Sequence, residues 1–188
     1  VEAFEVHRVN PNPARFDLKK CEAINATHLR ALPVAELADR MVPYLRAARL
    51  LGSEVTAAER QLLVAAAPLV QERMTVLGES VAMLGFLFVD DDVFQLDRDD
   101  AEKVLTEEGL AVVKASHSAL EPLSDWSTGA IEGALRNALV EEMGLKPRHA
   151  FGPVRVAVTG RRVSPPLFES LELLGRRRSL QRLAAASG

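Results

Sequence analysis

Residues 151–175, FGPVRVAVTGRRVSPPLFESLELLG, decide how the rest of the chain is read. A short apolar element from Val154 to Thr159 runs into Gly160 and a basic turn, after which Ser164, Pro165 and Pro166 head an amphipathic stretch. Val154, Val156 and Val158 alternate as in a strand, yet Val154 and Val158 also lie one helical turn apart, so the residues alone leave both forms open. Ser164 suits an N-cap because its hydroxyl can accept a first-turn N–H, and Pro165 then takes the first helical position, where a missing N–H costs nothing. Neither Pro165 nor Pro166 has an N–H, which confines the free donors of that turn to Leu167 and Phe168. Arg155, Arg161 and Arg162 come before this helix and Arg176, Arg177 and Arg178 after it. A stiff turn with few donors, ringed by guanidinium groups, suits an unpaired nucleotide whose base edge is read while its phosphates are held. Taken alone, the same residues describe more simply a helix start beside a solvated basic face.

The wider composition points to helices. Of 188 residues, 48% are apolar and only 5% aromatic, with alanine and leucine prominent, which favours an all-α chain with one substantial core or two small ones. Net charge is −3, which excludes a generally basic nucleic-acid binder. The charge is nevertheless segregated, with Asp90, Asp91, Asp92, Asp97, Asp99 and Asp100 in the middle and the arginines at the end, so that a local positive surface is expected. Cys21 is the only cysteine, which rules out an internal disulfide and a thiolate zinc cluster and fits a cytoplasmic setting. No apolar run approaches the ~20 residues needed to cross a bilayer, so no membrane partner is expected. The chain opens on VEAFEVHR without a methionine, which reads as a piece of a longer protein with no signal peptide.

Working outward, NPNP at residues 10–13 marks an extended lead-in, and a helix is expected from Phe16, followed by a connection at Asn25 to Thr27. Leu37, Met41, Tyr44 and Leu45 form a helical stripe that Gly52 is expected to end. Thr56 with Glu59 three positions on is a capping box. A further helix is expected from Leu69 to Thr75, and the apolar run Gly85 to Val89 must be buried. The aspartates that follow read as a solvated linker or as the polar start of the next helix, which puts a boundary near Asp90. Ser127 or Thr128 caps a helix whose Ile131, Leu135, Leu139 and Met143 line one side, with Gly144 as its stop.

The order PVRVAVTG, SPPLFE and the leucines ending at LGR resembles the C-terminal end of bacterial glutamyl-tRNA synthetases. HRVNPNPARFDLKKCEAINATHLR resembles the same family just downstream of its catalytic domain. Together the two matches span nearly the whole chain. The resemblance implies a multihelical, all-α fold of two consecutive subdomains, the anticodon-binding helical cage of class I aminoacyl-tRNA synthetases, and so favours helix over strand at Val154 to Thr159. The expected divisions are residues 1–26 (end of a stem-contact segment), 27–89 and 90–188. Within ERMTVL, Arg73 falls where the family's ERxxTL arginine helps read an anticodon base, although an arginine paired with Glu72 or Glu79 would look the same. Arg136 matches an arginine that approaches the anticodon loop, and Arg8, Lys19 and Lys20 either fall near tRNA phosphates or are simply exposed helix charges. The expected RNA-binding set is Arg73, Arg136, Arg155, Arg161, Arg162, Ser164, Pro165, Pro166 and Leu167, the last four forming a shaped stop against a base.

The same resemblance implies a parent glutamate-tRNA ligase that attaches glutamate to its tRNA with ATP and magnesium, working as a cytoplasmic monomer. None of that chemistry is expected here. His7, His28, His117 and His149 are scattered, no glycine loop cradles a phosphate, and the histidine- and lysine-containing ATP signatures of a class I catalytic half are missing. The chain is therefore expected to be non-catalytic, with neither metal nor cofactor, and to have tRNA as its partner. A diverged helical protein-interaction scaffold without RNA binding is the alternative.

Overall fold

A computed structural model describes residues 17–188, and among them every regular element is helical. α1 (Leu18–Ala31) and α2 (Val34–Ala47) lead into α3 (Ala57–Gln71) and α4 (Glu79–Phe88), followed by the short α5 (Arg98–Val104) and α6 (Glu107–Leu120). α7 (Thr128–Leu135) widens into a π-helical winding over Arg136–Glu142, and α8 (Pro147–Thr159), α9 (Leu167–Leu174) and α10 (Arg176–Ser187) complete the chain. The expected start at Phe16 and the residue Arg8 lie outside the described residues.

Local chemistry places several helix ends. The Thr56 side chain accepts from Glu59 N–H while the Glu59 carboxylate accepts from Thr56 N–H, forming the expected capping box at the head of α3. Ser127 accepts from Ala130 N–H at the head of α7. Val154 to Thr159 is helical, and α8 stops where Gly160 turns to φ +82°, a conformation that an L side chain rarely adopts.

Other expectations fail for reasons of packing. Asn25 to Thr27 is not a connection but the middle of α1, where the Asn25 amide donates to Thr75 O, 2.5 Å away. α2 ends at Ala47, short of Gly52, because Arg49 turns the chain with φ +60°. No helix spans Leu69 to Thr75: α3 ends at Gln71, whose amide donates to Leu29 O and Leu32 O and so ties its end to the close of α1. Met143 is 41% exposed, because the widened winding has already closed before it.

One apolar core runs through the described residues. Leu37, Met41 and Leu45 of α2 face Leu63 and Val70 of α3 in a cluster that continues to Leu135, Leu171 and Leu183. Full burial of each such side chain stabilises the fold by about 1.5–3 kcal/mol. α2 packs on α3 and α4, α6 on α8 and α10, and α7 on α9; α3 touches α9 and α4 touches α8. α5 and α6 meet so closely that a Cβ on Gly109 would sit 1.9 Å from Val104 O, so only glycine fits there.

The acidic middle is not a solvated linker: Asp97 caps α5, Asp99 and Asp100 lie in its first turn as the polar helix start expected, and Asp91 is held in the fold. Asp91 accepts from Arg178 Nε at 3.1 Å and from Arg182 Nη2 at 3.0 Å, while Arg178 also donates to Leu87 O and Val89 O. Arg182 lies 3.6 Å from the Phe94 ring centroid and donates to Val158 O. This knot joins the end of α4, the end of α8 and α10. Burial, and then the neighbouring Arg178, pull the Arg182 guanidinium down to about 10 against the pull of Asp91. Partial burial raises the Asp91 carboxyl, but hydrogen bonds from Arg178 and Arg182 outweigh it and hold the group below its ordinary 3.8. The charge segregation read from the sequence is therefore partly cancelled in space, and Arg176 and Arg178 do not ring the Ser164 turn: Arg176 donates to Glu121 O and Leu123 O.

Candidate nucleic-acid interface

The turn between α8 and α9 is built from its glycine onward. Gly160 ends α8, Arg161 to Val163 are exposed, and Ser164 and Pro165 are buried before Pro166 leads into α9. The Thr159 hydroxyl, 3.0 Å from Arg161 O and 2.8 Å from Arg155 O, holds the loop against the helix end.

Two arginines converge on this turn. Arg155 reaches up from α8, its Nη1 donating to Ser164 Oγ at 2.7 Å and to Pro165 O at 2.6 Å. Arg73 comes from the turn after α3 and donates from Nη1 to Ser164 O at 3.1 Å. That second turn is itself anchored, since Met74 is fully buried and Thr75 N–H donates to the Glu79 carboxylate at 2.6 Å. Arg73 therefore pairs with neither Glu72 nor Glu79; Glu72 is bound by Arg30. Among the described residues neither Arg73 nor Arg155 makes an ion pair. Burial first, and then the nearby Arg73, push the Arg155 guanidinium down, with only Glu169 opposing. The site holds like charges close together on neutral acceptors, an arrangement that an incoming anion relieves.

The structure corrects the helix start. Pro166, not Ser164, occupies the cap position of α9 and offers no side-chain hydrogen bond, while the Ser164 hydroxyl is taken by Arg155 and Pro165. The first helical residue is Leu167, so Pro165 is not within the helix, and the uncapped first-turn donors are Leu167, Phe168 and Glu169 N–H. The Leu167 side chain is only 3% exposed and faces the core, so it cannot form part of a side-chain stop; its backbone N–H remains on the helix end.

The other expected residues divide. Arg136 donates from Nε to Glu132 Oε1 at 2.6 Å, and its guanidinium lies 5.6 Å from the Phe151 ring centroid and 6.0 Å from that of Phe168. These rings meet edge to face at 5.3 Å, which places Arg136 beside the head of α9. Arg161 is exposed and lines a 440 Å³ cavity with Phe94 and Gln95 on the other side of the α8 terminus. Arg162 is committed to Asp100, which accepts from its backbone N–H and from Nε at 2.8 Å. Sequence reasoning missed Phe151 and Phe168; the signal available was that Phe151 and Arg155 stand four residues apart on one helix, one turn from each other.

Among the described residues there is no group of three or more His, Cys, Asp or Glu that could hold a metal ion, and no helix long and apolar enough to cross a membrane.

The chain is 60% identical over 188 residues to a glutamate–tRNA ligase of a Nocardioides species, and 55% identical to one of Saccharopolyspora erythraea. Both alignments cover all of this chain but only 38% and 37% of those relatives, so the chain spans little more than a third of their length. A solved glutamate tRNA ligase from Elizabethkingia meningosepticum superposes with a TM-score of 0.75 at 19% identity, over 98% of this chain and 35% of that one, which shows a shared fold. The anticodon binding domain family matches residues 36–187, from the start of α2 to the end of α10. The chain therefore belongs to the anticodon binding domain family.

Proposed function

We propose that this chain is the anticodon-binding part of a glutamate–tRNA ligase and that Arg73 and Arg155, joined at Ser164 and Pro165, form the place where an unstacked anticodon nucleotide docks. The observation that carries this is the convergence of two guanidinium groups on acceptors that do not neutralise them. Arg155 fixes the turn while keeping its charge, Pro165 and Pro166 stiffen it, and the uncapped N–H groups of α9 supply directional donors. Arg136 over Phe151 and Phe168 offers a planar face nearby on which a base can stack, and exposed Arg161 adds electrostatic attraction. Arg162 contributes less than its charge suggests, because Asp100 already holds it.

The division of labour proposed is that residues 27–89 supply Arg73 and residues 90–188 the rest of the surface, with residues 1–26 continuing from the stem-contact region. The parent's glutamate activation, with ATP and magnesium, is assigned to the part of the relatives that this chain does not span. The whole ligase is taken to work as a monomer in the cytoplasm, a setting that a chain with one cysteine suits. The scaffold alternative is not favoured, since the matched family is an anticodon binding domain.

The test compares binding of a tRNA bearing a glutamate anticodon with the same tRNA carrying an altered anticodon, for the unsubstituted protein and for Arg155→Ala. Preference for the first RNA, lost in the variant, supports the assignment. An Arg155→Ala protein that keeps both affinity and preference removes it.

A further inference from the structure

Arg155 has a second side. Beyond the turn that it holds, it borders a cavity of about 740 Å³ enclosed by the end of α5, the head of α6 and the head of α8. Lys103, Arg148, His149 and Arg162 share the lining with it, and the one acid there is Glu108. Glu108 is engaged by the Thr106 hydroxyl at 2.9 Å and Arg162 by Asp100, whereas Lys103 and Arg148 make no ion pair among the described residues. The tight α5–α6 elbow at Gly109 keeps the two walls together, so the positive charge of Lys103 and Arg148 faces one concavity.

The lining also limits what fits. It contains no Phe, Tyr or Trp on which a base could stack, and Lys103 and Arg148 are long, exposed side chains that suit phosphate oxygens rather than a base edge. Arg155 makes the cavity continuous with the Ser164 turn. We infer that the cavity between α5, α6 and α8 takes the sugar–phosphate strand adjoining the nucleotide at that turn, with Lys103 and Arg148 each holding a phosphate. This rests on the RNA-binding reading above and adds the path of the strand.

The experiment is a salt titration of tRNA binding for the unsubstituted chain, for Lys103→Ala/Arg148→Ala, and for the control pair Arg40→Ala/Arg60→Ala, which removes the same charge from α2 and α3. The cavity variant should bind about tenfold more weakly at low salt, and its slope of log affinity against log salt should be shallower by roughly 1.4, about 0.7 for each single-strand phosphate released. The loss should be equal for the glutamate anticodon and the altered one, and the control pair should leave the slope unchanged. A slope unaffected by Lys103→Ala/Arg148→Ala, or lowered as much by the control, overturns the cavity assignment while anticodon preference stands. If the unsubstituted chain shows no preference between the two RNAs, the docking reading at Ser164 falls instead.

Discussion

Asp91 gathers three arginines and Ser164 two, and the two gatherings differ in kind. At Asp91 the acceptor is a carboxylate, Arg182 is almost wholly enclosed, and one negative charge offsets part of the arginines' charge inside the fold. At Ser164 the acceptors are a hydroxyl and carbonyls, and the charges of Arg73 and Arg155 remain. The same residue type therefore closes the structure in one place and leaves unspent attraction for an anion in the other. An arginine's partner, more than its position in a basic run, decides which role it has.

That contrast can be broken most forcefully at the knot. Asp91→Ala strands a buried guanidinium, and denaturant unfolding should show a loss of about 3–5 kcal/mol; a change under about 1 kcal/mol would mean that Arg182 finds other compensation. Arg155→Ala should instead act mainly on RNA, weakening tRNA binding roughly a hundredfold by filter binding, because it removes a charge-assisted contact and the brace of the turn together. Arg155→Lys separates the two contributions: restored salt sensitivity without restored anticodon preference is expected, since an ammonium lacks the planar fork. Acid loosens the knot more gently. The Asp91 carboxyl sits below its ordinary 3.8, so its stabilisation is complete above that value and fades as pH falls through the lower native one. The acid unfolding curve of Asp91→Asn should lack that component. Smallest of all, Thr56→Ala should cost about 1 kcal/mol through its capping box and leave tRNA affinity unchanged, being remote from both gatherings.

What could be read from the chain was whatever a few neighbouring residues determine. Thr56 with Glu59, Ser127 and Gly160 mark helix ends through contacts within one turn, and the helical form of Val154 to Thr159 followed from the family resemblance. Long-range partnerships were hidden. Nothing local tells that Asp91 meets Arg178 and Arg182, or that Asp100 meets Arg162, because those pairs form only when the core brings α8 and α10 against the acidic stretch. The Ser164 hydroxyl was assigned to its own helix because serine caps helices; Arg155 competes for it with a charge-assisted bond, and the helix starts later. The exposed position of Arg73 was equally hidden, since the turn that carries it is set by buried Met74 and by Glu79.

The π-helical stretch from Arg136 to Glu142 has a consequence for the helix that contains it. Ile131, Leu135 and Leu139 recur every fourth residue, and a regular α screw would carry each one about 40° further round than the last. All three are nonetheless fully enclosed. A looser gyre in the second half takes back part of that drift, keeping the leucine seam straight while Arg136 stays on the outer wall beside two phenyl rings. Deleting a single residue there would rotate the seam out of alignment and swing that guanidinium away from its aromatic neighbours.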